Sequence, residues 1–117
     1  MKLIKHPWLF LFLSFVITIA VKIPHLGLPF FNDETFSYYP AILEMAKTGP
    51  GMLPGILPII LSKGHPLFFY FLASLWVKYI AGNSITLTHV FPLLIALFAL
   101  FVFHGFAKRH TNIVLAN

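Results

Sequence analysis

The sequence has 117 residues, 59% of them hydrophobic and 17% aromatic, while its eight basic and three acidic residues make up only 9% of the chain. A soluble domain of this size carries about 25% charged residues to wet its large relative surface, and a disordered chain lacks the aromatic content that fourteen Phe supply here. Both classes are excluded, which leaves an integral membrane protein, whose +5 net charge reports topology rather than a nucleic-acid partner. The absence of cysteine removes disulfides, thiolate metal sites and thiol nucleophiles together.

The first element is a predicted span over residues 6–23. Lys2 and Lys5 precede it and Lys22 closes it. Its uncharged run rises about 24 Å as a helix, and lysine side chains snorkelling toward the head groups cover the rest of a ~30 Å core. Trp8 sits where an interfacial aromatic belongs. A cleaved signal peptide is the rival for this segment, but Thr18 at the outer position of Thr18-Ile19-Ala20 fits a cleavage site poorly.

A long loop over residues 24–84 follows. Pro24, Gly27 and Pro29 mark an irregular exit from the span, and Gly49, Pro50, Gly51, Pro54, Gly55 and Pro58 a second irregular stretch. Between them a helix is predicted near 34–48, capped by Asn32 or Asp33 and stopped by Gly49. Pro40 either kinks it or begins a second helix. A further helix is predicted over 66–81, with Pro66 at its first position and Gly82 as its stop. Tyr70, Ser74 and Lys78 draw a polar stripe on it, which suits an interfacial or bundle-packed helix. The last element is a span over 85–107, about 35 Å long, ending at Lys108-Arg109-His110. Pro92 near its start is tolerated in a membrane because neighbours satisfy the freed carbonyl.

Charge placement decides the topology. If residues 66–81 crossed the membrane, the basic triplet after Ala107 would lie opposite Lys2 and Lys5; two crossings put both clusters in the cytoplasm. The expected fold is therefore an all-α integral membrane protein of the cell membrane. It has two transmembrane helices, three being the alternative, a cytoplasmic N-terminus and an extracytoplasmic loop that carries juxtamembrane helices.

All three acids, Asp33, Glu34 and Glu44, fall in that loop. Acids at a helix start can cap free N–H groups; a carboxylate beside a bilayer can also act as general base or metal ligand. The histidines contain no pair at the spacing that puts two imidazoles on one helical face, so a dedicated histidine metal site is not expected.

The order of motifs adds to this. A basic first span is followed by Phe31-Asn32-Asp33-Glu34-Thr35-Phe36-Ser37-Tyr38-Tyr39, then Gly64-His65-Pro66-Leu67-Phe68-Phe69-Tyr70, then Gly82-Asn83-Ser84 and a second span ending in basic residues. This order resembles the N-terminal part of the GT-C membrane glycosyltransferases, the superfold of protein O-mannosyltransferases and aminoarabinose transferases. Leu67 stands where that family often has a second proline, and the family's enzymes are several hundred residues long with many more spans.

The resemblance implies inverting transfer of a sugar from a polyprenyl-phosphate donor at the outer membrane face. Asp33 would be the general base. Glu34 would orient the acceptor or, with Asp33, hold a divalent cation as cofactor. Lys63, His65 and Tyr38 would bind substrate, the first two beside the donor phosphate. The partners implied are the lipid-linked sugar, the bilayer and the remaining transmembrane helices of a parent enzyme, without which this chain is expected to be inactive. A small membrane interaction protein or subunit, in which the acids only cap a helix, is the alternative.

Overall fold

The computed structural model describes residues 7–32, 34–63 and 65–115. Lys2, Lys5, His6, Asp33 and Gly64, which several expectations involve, lie outside the described residues. The regular structure among those described is all helical, with no strand. Helix α1 (Pro7–Lys22) runs into a 3-10 turn, Ile23–His25. A π-helical turn, Glu34–Tyr38, leads into α2 (Tyr39–Thr48), and a short α3 (Ile59–Ser62) follows. Helix α4 (Leu67–Trp76) continues as a second π-helical turn, Val77–Ala81, and α5 (Ile85–Leu115) closes the order.

Two segments are long and apolar enough to cross a membrane. Trp8–His25 and Ile85–His110 span 18 and 26 residues with mean hydropathy 1.8 and 2.3. The 66–81 segment is too short for that, as Leu67–Ala81. Contacts divide the chain into two units, one made of Met1–His25 with Pro92–Asn117, the other of Leu26–Phe91.

In the first unit, Trp8, Phe12, Ile17 and Val21 of α1 and Phe98, Phe103 and Phe106 of α5 are exposed. Helices apolar on every side and uncovered by their own chain are what a lipid environment or further apolar helices would surround. The start of α1 meets the C-terminal part of α5, where the Trp8 ring lies 5.0 Å from His104 and Lys108 Nζ 5.2 Å from the Trp8 centroid. Helix α5 runs past the predicted end at 107, because Lys108, Arg109 and His110 continue a helix with no glycine or proline to stop it.

The second unit has a core. Ala41, Ile42 and Met45 of α2 are buried with Tyr70 and Ala73 of α4, Val77 and Ala81 of the turn after it, and Leu57. Small residues on both faces, Ala41 opposite Ala73, Ser74 and Ala81, let the two backbones approach closely. The polar stripe divides accordingly: Tyr70 and Ser74 are buried in this face, Ser74 Oγ donating to the Phe71 carbonyl at 2.8 Å, while Lys78 remains exposed.

Three expectations are refined. The 34–48 segment is two pieces, the α-helix starting at Tyr39 with Pro40 in its first turn, where a missing N–H costs nothing. Pro66 is the N-cap of α4 and not its first helical residue. Helix α3 adds regular structure after Pro58, where no element was expected. Both predicted stops hold: Gly49 and Gly82 end their helices at φ 119° and 55°, values that residues with a Cβ rarely adopt.

Met45→Ala, in the middle of the α2–α4 contact, should destabilise the loop unit by about 2–5 kcal/mol through the cavity it opens. Phe103→Ala on the exposed face of α5 should shift stability by less than about 0.5 kcal/mol. Chemical denaturation in detergent, followed by Trp76 fluorescence, measures both.

Candidate functional site

The acidic motif and the His65 motif are about thirty residues apart in sequence. In the second unit they meet. Tyr38, the last residue of the first π-turn, lies 5.4 Å by ring centroid from His65 and 6.1 Å from both Phe69 and Tyr70. Tyr38, His65, Pro66, Phe69 and Tyr70 line an open cavity of about 350 Å³. Two of the three residues expected to bind substrate, Tyr38 and His65, thus share one site. Lys63 is exposed two residues before His65 and is not among the cavity's lining residues.

Both motif segments are entered through a left-handed residue. Asn32 has φ 46° and Lys63 φ 47°. Asparagine tolerates that conformation, but a lysine there is uncommon and costs on the order of 1 kcal/mol, a kind of strain that concentrates at functional sites. The Glu34–Tyr38 π-turn is of the same character, since short π segments also occur disproportionately at such sites.

The hydroxyls beside the cavity are poorly served. Tyr70 is 0% exposed, Ser37 is buried, and neither Tyr70 Oη nor Ser37 Oγ has a partner in hydrogen-bonding geometry among the described residues. Burial pushes the Tyr70 phenol above its ordinary value, and the neighbouring Tyr38 adds to the rise. Proximity of Ser37 offsets part of it.

Glu34 occupies a second focus. Its Oε2 accepts from the Phe31 N–H at 3.3 Å, the reach-back of a helix-capping acid. The same oxygen lies 3.5 Å from His89 Nε2. His89 Nδ1 lies 3.0 Å from the Leu26 carbonyl oxygen, and the Phe30 ring stands edge-on to the imidazole at 5.0 Å. Phe30 also packs on Tyr39, at 4.1 Å. Sequence reasoning missed His89, because it weighed histidines only as pairs on one helix. The available signal was its place in the first turns of the second span, on the loop side where the acids also lie. Asp33, the expected base, lies outside the described residues. Glu44, half-buried on α2, has no ion pair among them.

No group of three or more His, Asp or Glu among the described residues could hold a metal ion. Glu34 and His89 provide two such groups in contact.

Tyr70→Phe removes a buried hydroxyl that has no partner, so the protein should be as stable as before or gain about 1 kcal/mol. A thermal melt in detergent reads this, and a clear loss would mean that the hydroxyl has a partner after all.

Compared with protein-family models, curated proteins and solved structures, the chain matches no family model, no curated protein and no solved structure.

Proposed function

We propose that this chain belongs to the catalytic face of a membrane glycosyltransferase that moves a sugar from a polyprenyl-phosphate donor to an acceptor, with inversion, at the outer face of the cell membrane. The observation that carries this is the meeting of Tyr38 and His65: the two loop motifs on which the family resemblance rests pack together around one cavity. In this reading Asp33 takes the proton of the acceptor hydroxyl, and a carboxylate beside an apolar surface is suited to that work. Glu34 orients a hydroxyl. Lys63 and His65 stand before the uncapped start of α4, whose free N–H groups favour an anion, so the donor phosphate belongs there. Both spans present bare apolar surface, which supports a bilayer setting and a need for further transmembrane helices around the lipid-linked donor. The N-terminus is cytoplasmic, and contact of Trp8 with His104 and Lys108 favours both basic ends on one side.

A second reading, a membrane interaction subunit without catalysis, draws on one specific observation. Glu34 Oε2 receives the Phe31 N–H, so that acid also serves as a plain cap.

One experiment separates these, and a second tests the topology. In native membranes that also hold the remaining transmembrane helices, supplied with a panel of radiolabelled polyprenyl-phosphate sugars, Asp33→Asn should lower transfer by about 100-fold or more with unchanged insertion. Transfer at the wild-type rate would remove Asp33 from the chemistry, and no transfer by the wild type with any donor would favour the subunit. His110→Cys should react with a membrane-impermeant maleimide only after permeabilisation; labelling of intact cells would overturn the two-span topology.

A further inference from the structure

The contacts of His89 give its two ring nitrogens different tasks. A carbonyl oxygen can only accept, so the 3.0 Å contact with Leu26 requires the hydrogen on Nδ1. In the neutral ring Nε2 then carries a lone pair. It faces Glu34 Oε2 at 3.5 Å, and an ionised carboxylate also offers only lone pairs. Two acceptors across that gap repel, whereas one proton between them gives a charge-assisted bond that can shorten below 3 Å.

The His89 side chain is 15% exposed and shielded by Phe30, and no other ion-pair partner of either residue occurs among the described residues. Oε2 is engaged twice, by the Phe31 N–H and by His89, while no described group is recorded on Oε1. The Glu34 side chain is 48% exposed.

We propose that His89 is a positioning residue for Glu34: a proton held between Nε2 and Oε2 ties down one carboxylate oxygen and presents Oε1 as hydrogen-bond acceptor to a substrate hydroxyl. The hydroxyl part rests on the glycosyltransferase reading; the tie between the two side chains does not. Residues from the loop exit (Leu26, Phe30), the acidic turn (Glu34) and the start of the second span (His89) thereby form one unit, so the span contributes directly to the site.

The tie is tested by nitrogen-15 NMR of the full chain in phospholipid nanodiscs, labelled at histidine, with the His89 signals assigned by their loss in His89→Gln. Nδ1 should show the protonated signature whenever the ring is neutral, and Glu34→Ala should move the Nε2 signal while leaving Nδ1 in place. A neutral ring protonated on Nε2, or an Nε2 signal indifferent to Glu34→Ala, overturns the proposal. The hydroxyl role is tested by transfer kinetics in native membranes. His89→Leu should raise KM for the hydroxyl-bearing acceptor about tenfold with a smaller change in kcat. His89→Gln, whose amide can donate to Oε2, should restore KM to within about threefold of wild type, which a merely structural histidine would not require. Wild-type KM in His89→Leu refutes the role. If the wild type transfers no sugar, the enzyme reading and the hydroxyl role fall together, and the NMR result still decides the tie.

Discussion

The close packing of α2 on α4 is the contact on which the rest of the loop depends. Neither helix is long enough to be stable alone in water, at ten residues each. Each becomes stable by burying one face in the other, and the small side chains Ala41, Ala73, Ser74 and Ala81 permit an approach that larger ones would block. Met45 and Tyr70 then fill the space between. Because α2 carries the acidic turn at its N-terminal end and α4 carries His65 just before its start, the same contact brings the two motifs together. Tyr38 reaches His65 as a consequence of helix packing.

The loop is also fastened at its entry and exit. The Leu26 carbonyl is bound by His89, and the Trp76 indole donates to the Leu87 carbonyl at 2.7 Å. Ser84 caps α5 by accepting the Leu87 N–H at 3.3 Å. These bonds converge on the first turns of α5, just before Pro92. Proline removes the hydrogen bond that the Thr88 carbonyl would otherwise receive, so this part of the helix is where side-chain bonds have most to offer. Polar contacts of this kind are expected where a loop meets an apolar span, since a bonded polar group next to hydrocarbon costs far less than a free one.

Against that well-satisfied frame, the unpartnered Tyr70 and Ser37 hydroxyls, the left-handed Asn32 and Lys63, and the π-turn between Glu34 and Tyr38 are departures. They lie at the two motif segments, while a second π-turn, Val77–Ala81, lies elsewhere in the loop. Stability alone would not select them, and their concentration at the motifs gives the candidate site its physical definition.

The sequence by itself determined the class of the protein and its punctuation. Charge scarcity pointed toward a membrane protein, hydrophobic run lengths marked the two helices long and apolar enough to cross one, and Gly49 and Gly82 stop their helices where a local backbone rule says they should. These are one-dimensional properties, set by composition, period and nearest neighbours. The buried fate of Tyr70 and Ser74 was not legible, because a polar stripe looks the same whether it meets water or a neighbouring helix. Nor was the pairing of Glu34 with His89, residues with no periodic relation, joined only when the chain enters α5. The tertiary structure alone decided which nitrogen of His89 faces Glu34, since the other is turned to a carbonyl sixty-three residues away.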